Sequence, residues 1–441
     1  YSGHGGRVRV IDSLNTGTAG RLPWNELARR VECLEGNVAL AWELVPGNRF
    51  GMAKPYVRRR GGTPLVTVGD QMLAVVTKGS ELGEVGPGRV AGTIHCRAGE
   101  RALVAVIATD NEPLFVSEPD AVDARLDRSI RSWQEWSDLL PDDGPWAQAV
   151  RRSALALKTL LYEPGGAIAA AATTSLPERI GGEKNYDYRY SWIRDSSFVL
   201  DAFTNLGLNE EVHGAVSWLL SSLRRSAPEL KVFYSLGGGE PEHEAELEAP
   251  GYRWSRPVRS GNSASGQRQL GLYGDLFDMI ARYVDAGHVL DGPTGAMLAT
   301  LADQCCDRWQ SRDSGMWELA DLQHYTISKI GCWVALDRAC RLASQGDLPS
   351  RHRRRWLGEA AAIKQWVDVR CWSDEQQSYT FFAGSEKLDA AVLLAGRTGF
   401  ERGPRLRSTI EAVVGRLGEG PMLYRYSGMR EEEGAFLACS F

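Results

Sequence analysis

The hydrophobic positions change rhythm partway along the chain. Up to about Ser117 they come in short β-branched runs, "NVALAWELVP", "MLAVVT", "RVAGTIHC" and "ALVAVIATD", divided by Gly, Pro and Asn. Runs of this kind between closely spaced turn signals predict antiparallel strands arranged as a sandwich. "EPDAVDARLDRSIRSWQEWSDLL" follows, with Leu126, Ile130, Trp133 and Trp136 along one side, and predicts a linking helix over 119–141. From about Asp142 the period becomes that of amphipathic helices. "AVRRSALALKTLLYE" lines up Val150, Ala154, Leu157 and Leu161, and the next stripe carries Phe198, Val199, Ala202, Phe203 and Leu206 before Gly207 stops it. "NEEVHGAVSWLLSSL" continues with Val212, Ala215, Val216, Leu219 and Leu220, and further stripes lie near 268–286, 294–309, 325–343, 351–368 and 405–416. Strands first and helices after predict a β domain over 1–118, the linking helix, and a large all-α domain over 142–441.

Bulk properties narrow the function classes. The 441 residues are enough for two or three domains, and 43% hydrophobic with 24% charged is ordinary for a globular chain. A net charge of -5 offers no basic surface for a polyanion, so a nucleic-acid partner is not expected. No apolar run approaches the roughly 20 residues of a membrane span, and "YSGHGGRVRV" lacks the apolar core of a signal peptide. Both this start and the end "AFLACSF" read as cuts through structured sequence. The eight cysteines, Cys33, Cys96, Cys305, Cys306, Cys332, Cys340, Cys371 and Cys439, form no CxxC pair and mostly fall in apolar stretches. They read as buried free thiols in a reducing cytoplasm rather than as disulfides or a metal site.

Chemistry concentrates in the loops of the helical part. "PERIGGEKNYDYRYSWIRD", "EHEAELEAPGYRWSRPVRSGN", "RDSGMWELADLQHYT" and "YRYSGMREEEGAF" are dense in Trp, Tyr, Arg and Glu. Connecting loops are ordinarily small and polar, whereas loops that carry function sit on a rigid scaffold, so these point to a shared cleft. Glu318 follows Trp317, and a carboxylic acid desolvated by an indole holds its proton more firmly, as a general acid must. Taken alone, Glu318 is as well a solvated loop acid or a helix cap. Glu431, Glu432 and Glu433 precede Gly434; read as chemistry, one of them activates water, and read plainly, they are acids at a helix start. Arg194 and Asp195 after Trp192 form a donor and acceptor pair able to grip vicinal hydroxyls while aromatic rings cover the apolar face of a pyranose. The plain alternative is a structural ion pair. Tyr252, Arg253, Trp254, Arg256 and Arg259 offer further hydroxyl contacts or a basic surface loop.

Together, in order, "YDYRYSWIRDSSFVLDA", "YRWSRPVRSGNSASGQRQLGLYGDLFDMI", "GMWE…HYTISKIGCWVALDRA" and "EEGAFLACSF" resemble the bacterial members of glycoside hydrolase family 15, the glucoamylase, glucodextranase and trehalase group. The resemblance covers 142–441 and implies an (α/α)6 barrel, a ring of paired helices with a pocket at one end, preceded by an antiparallel β-sandwich. It implies inverting, exo-acting cleavage of α-glucosidic bonds in a small α-glucoside, a maltooligosaccharide or trehalose, without metal or organic cofactor. Matching motif to motif, Glu318 becomes the general acid and Glu433 the general base, with Glu432 second in line. Trp192, Arg194 and Asp195 become the glucose grip, Tyr190 and Trp317 its walls, and Trp254 and Arg256 further sugar contacts. Two departures stand out: the stretch from "YRY" to "EEGAF" is shorter than the family's, and the family continues past "CSF".

The chemistry agrees with that pattern. Inversion requires two carboxyls about 6.5–9.5 Å apart, with a water between one of them and the sugar. An inverting phosphorylase of similar architecture would need only one carboxyl, and the Glu triplet speaks against it. A non-catalytic sugar-binding protein with a decayed site is opposed by the retention of Glu318 together with that triplet.

Overall fold

The computed structural model describes residues 1–436 apart from 4, 18–20, 50, 87 and 432. Glu432 and Cys439 therefore lie outside the described residues, as does the side chain of Glu431. The chain separates into two compact units, Tyr1–Arg151 and Arg152–Phe441.

The first unit is antiparallel: β1 (Ser2–Gly3), β2 (Gly6–Leu14), β3 (Asn25–Leu44), β4 (Tyr56–Arg60), β5 (Thr63–Val68), β6 (Gln71–Lys78), β7 (Glu81–Gly86), β8 (Arg89–Arg97) and β9 (Arg101–Asp110). Neighbours run β1-β2-β3-β9-β6-β5-β4, while β8 lies between β3 and β7. The 20-residue β3 makes this possible, because its first half pairs with β9 through Asn25–Glu32 and its second half with β8 through Asn37–Leu44. Gly36 sits at the changeover with φ +76°, and a Cβ there would meet Gly5 O at 2.1 Å, so only glycine fits.

Alternation along the strands divides the core. Ala28, Val76, Leu103, Ala105 and Ile107 face Val122 and Leu126 of α1 (Pro119–Ser137), whereas Val31, Cys33 and Ala102 meet Ile94 and Cys96 of β8. Within this unit α1 lies on the β domain, against β2, β3, β6 and β9. Trp133, placed on the apolar side by the sequence pattern, is exposed, and Val122 is buried. Charges fasten α1 as well: the fully buried Glu26 accepts two bonds from Arg125, at 2.9 and 2.6 Å, and Arg30 reaches Asp123 and Asp127.

After α2 (Ala147–Lys158) the second unit carries α3 (Ile193–Asn205), α4 (Asn209–Ser226), α5 (Leu272–Asp285), α6 (Gly292–Arg308), α7 (Thr326–Gln345), α8 (Arg353–Arg370), α9 (Leu394–Thr398) and α10 (Pro404–Leu417). Their starts and stops follow ordinary rules: Asp291 caps α6 by accepting from the Thr294 N–H, Pro404 opens α10, and Gly346 in the left-handed region ends α7. The helices α3, α5, α7 and α8 pack in sequence, each against the next. The α5–α7 approach is close because both carry glycine. A Cβ on Gly274 would lie 2.5 Å from Gly331 O, and one on Gly331 would lie 2.7 Å from the Gly271 Cα. These helices bring the loops 185–195, 255–270 and 309–325 to one region. Among the described residues no helix is long and apolar enough to cross a membrane, and the seven described cysteines are buried free thiols.

Candidate active site

Glu318 occupies a tight loop whose neck is the paired Asp313 and Gln323. The neck is tied down from beneath. Asp313 Oδ2 accepts from the Leu270 N–H at 2.8 Å and from Ser328 Oγ at 2.7 Å, and the buried Lys329 ammonium donates to the carbonyls of Trp309 and Ser311. Burial pushes the Lys329 pKa down and that of Asp313 up. At the tip the Glu318 backbone is left-handed, φ +61°, a conformation a side-chain-bearing residue adopts only when its surroundings enforce it. Here Gln267 Nε2 donates to Glu318 O at 3.0 Å, Arg194 Nη1 to Met316 O at 2.6 Å, and the Leu319 N–H to Ser314 O at 3.0 Å.

The carboxylate is just as closely held. Glu318 Oε1 accepts from Trp192 Nε1 at 2.8 Å, Arg194 Nη2 at 3.4 Å and Gln269 Nε2 at 3.5 Å. Among the described residues every side-chain hydrogen bond to the Glu318 carboxylate falls on Oε1, and Oε2 receives none. Arg194 is shared, for the same Nη2 lies 3.4 Å from Asp195 Oδ2. Burial opposes the Arg194 charge, but Asp195, Glu318 and Asp275 outweigh it and hold its pKa above the usual value.

Local sequence explains why Trp192 can serve. Ser191–Trp192 forms a two-residue strand against Phe233–Tyr234, with Trp192 opposite Phe233. The two rings stack with centroids 4.2 Å apart, and Trp192 is 1% exposed. It belongs to the core and offers only its N–H to the site. Tyr190 is buried beside it against Phe233 at 5.3 Å, in the layer behind the site. The run is anchored by the buried Asp187, which takes two bonds from the Arg189 guanidinium, one from the Arg189 N–H and one from the Gly261 N–H.

A second cluster surrounds Trp317 and Glu433. The sequence pairs Trp317 with Glu318, but its indole N–H turns to Asp389 Oδ1 at 2.9 Å, and the indole that meets Glu318 is Trp192. Arg425 lies over the Trp317 ring at 5.3 Å and 3.3 Å from Glu433 Oε2. Glu433, whose side chain is 5% exposed, also accepts from Lys184 Nζ at 2.7 Å. The clusters are linked through Tyr188, whose ring lies 6.1 Å from Trp192 and whose hydroxyl donates to Glu178, itself 3.7 Å from Arg425. Burial pushes the Tyr188 pKa well up.

The structure thus brings Glu318, Trp192, Arg194 and Asp195 together, and Trp317 with Glu433 through Arg425. Trp254 is 77% exposed on the turn between the paired segments Ala245–Leu247 and Val258–Ser260, and Arg256 is exposed beside it. Neither touches the Glu318 cluster among the described residues. Sequence reasoning passed over Gln267, Gln269, Lys184, Arg425 and Asp389. The two glutamines stand in the quoted "SGQRQLGLYGD", uncharged and so without signal; Asp389 before "AAVLL" reads as an ordinary cap, which it also is. Among the described residues no group of three or more His, Cys, Asp or Glu is arranged to hold a metal ion.

A carboxylate steadied by an indole and by an arginine that also holds a second acid is thus displayed on the loops of the helical unit. Residues 144–441 match the family model described as glycosyl hydrolases family 15, and the chain belongs to that family. It is similar to a trehalase of Mycobacterium tuberculosis, 33% identical over 441 residues, covering 94% of this chain and 63% of that protein. It is also similar to a trehalase of Mycolicibacterium smegmatis, 37% identical over 359 residues, 78% of this chain and 53% of the other. A trehalase of Thermoplasma acidophilum is 34% identical over 336 residues, 72% of this chain and 55% of the relative. The chain therefore spans between about half and just under two thirds of these relatives' length.

Proposed function

We propose that this chain carries an inverting, exo-acting hydrolysis of α-glucosidic bonds, with α,α-trehalose as the first substrate to test because its relatives are named trehalases. The single observation that carries the reading is the shared Arg194, whose Nη2 lies 3.4 Å from both Glu318 Oε1 and Asp195 Oδ2, so that one guanidinium bridges the two acids. In this reading the second unit is an (α/α)6 barrel and the first a β-sandwich. Glu318 protonates the glycosidic oxygen from Oε2 while Trp192 and Arg194 fix Oε1. Glu433 takes a proton from the water that attacks the opposite face of the ring, and Lys184 and Arg425 hold that carboxylate in place. Arg194 and Asp195 grip glucose hydroxyls, and Trp317 forms a wall. Trp254 and Arg256, on their exposed turn, meet the part of the substrate beyond the cleaved bond. Two carboxyls in different surroundings divide acid and base work, and no step calls for a metal or cofactor.

Released glucose measured on trehalose, maltose, isomaltose, maltotriose and starch decides the substrate. Glu318→Gln is expected to lower kcat at least ~1,000-fold, as loss of both a proton donor and its placement requires; an unchanged rate removes Glu318 from the chemistry. Proton NMR of fresh product tests inversion. Maltotriose should first release β-glucose, and trehalose one α- and one β-glucose, whereas two α-glucoses from trehalose would mean retention. Formation of a glucose phosphate when orthophosphate is added would favour the phosphorylase reading instead.

A further inference from the structure

Asp389 is fully buried and has one oxygen filled and the other idle. Its Oδ1 accepts both the Ala391 N–H and the Trp317 indole N–H, each at 2.9 Å, while its buried Oδ2 has no hydrogen-bond partner. The backbone is fixed too: Asp389 pairs with Tyr426, and the Ala390 N–H donates to Arg425 O at 2.8 Å. Trp317 is thus enclosed by Asp389 at its N–H, the Tyr426 ring at 6.3 Å and the Arg425 guanidinium at 5.3 Å. The next residue is Glu318, in its left-handed turn, and the next partner of Arg425 is Glu433. One buried carboxyl therefore holds the loop that carries the acid to the segment that carries the partner of the base.

We propose that Asp389 is a positioning residue that aims the Glu318 loop through the indole of Trp317. The proposal rests on the reading of Glu318 as the acid. The idle oxygen fits a particular state. Burial pushes the Asp389 carboxyl up to about 7, against the pull of the Ala391 and Trp317 donors, so below neutrality its proton resides on Oδ2 and Oδ1 serves as a carbonyl acceptor. Above that pH the buried oxygen carries charge without a donor. Among the described residues the charged and titratable groups around it are Tyr325 just before α7, Arg425 and the bridged Tyr426 on the facing segment, Glu433 behind Arg425, and Glu318 next to Trp317.

Three variants separate positioning from bulk packing. Asp389→Asn keeps an acceptor at Oδ1 and cannot ionise; Asp389→Ala removes the acceptor; Trp317→Phe removes the donor. Loss of aim is expected to lower kcat for Asp389→Ala about 10- to 100-fold with KM within about threefold. Trp317→Phe should fall alike, and the double variant no further, because both break one link. Asp389→Asn, at pH 6, should retain kcat within about threefold of the parent. Independently of activity, the Trp317 indole N–H signal in a 15N NMR spectrum, assigned by its loss in Trp317→Phe, should move with pH around 7 in the parent and stand still in Asp389→Asn. Additive effects on kcat, or a Trp317 signal indifferent to pH and to Asp389→Asn, would overturn the proposal. An active Glu318→Gln would instead sink the acid assignment while leaving the NMR result intact, so the two failures are distinguishable.

Discussion

Trp192 shows how one residue serves two masters at this site. Its ring is in the core against Phe233 and its N–H is on Glu318 Oε1. Trp192→Phe should keep the stacking and delete only the donor. The expected result is a kcat at least ~10-fold lower, with a melting temperature within several degrees of the parent, both read on the full chain. At this scale the sequence was legible where chemistry is charged: Glu318, Arg194 and Asp195 announced themselves by residue type. It was not legible where a side chain's direction decides. Nothing in "GMWE" says that Trp317 turns away to Asp389 and that a distant indole takes its place. That choice is made by the pairing of Ser191–Trp192 with Phe233–Tyr234, a contact across some 40 residues of chain. Gln267 and Gln269 act through geometry alone and gave no sign.

At the scale of elements the period of the apolar residues did most of the predicting. The stripes at 268–286 and 325–343 correspond to α5 and α7, whose ends differ by a few residues where caps decide. What it could not show is how closely those helices lie. Gly274→Ala or Gly331→Ala should destabilise by about 1–3 kcal/mol through overpacking, read from the denaturant midpoint. In the β unit, β2 escaped notice because "RVRVIDSL" alternates arginine with valine, so its apolar half is thin. Arg125→Ala should cost about 3 kcal/mol, since it leaves Glu26 buried without its cation. Burial raises the Glu26 pKa, but the bonds from Arg125, Asn15 and Trp24 lower it more, so the net value lies below that of a free glutamate. A lowered carboxyl stabilises the fold above the unfolded pKa, and that contribution disappears as pH falls through the folded one. Acid titration of the melting temperature should accordingly be shallower in Glu26→Gln.

For the whole molecule the opposite pH dependence is set by α5. Asp275 faces a cavity lined by Arg194, Phe198, Met279, Ile330 and Leu394, where burial pushes its carboxyl up to about 7 despite Arg194. A raised carboxyl takes up a proton on folding, so its share of stability falls as pH rises from the ordinary aspartate range to about 7. Asp275→Asn should flatten that part of the stability profile, leaving the portion that belongs to Asp389. The net charge of -5 enters differently. A neutral sugar gains nothing from long-range attraction, so under the proposed function kcat/KM for an α-glucoside such as trehalose should change less than about twofold between 0.05 and 0.5 M salt.

The depth of Trp192 has a consequence for how this protein can change over generations. A mutation of Trp192 that alters its bond to Glu318 must also be tolerated by the ring of Phe233 beneath it, so the setting of that carboxylate and the fold are locked together there. Trp254 and Arg256 stand in the open and are bound by no such constraint. Divergence, whether natural or in a selected library, has its open road on that exposed turn, and substitutions accepted there should outnumber those accepted at Trp192.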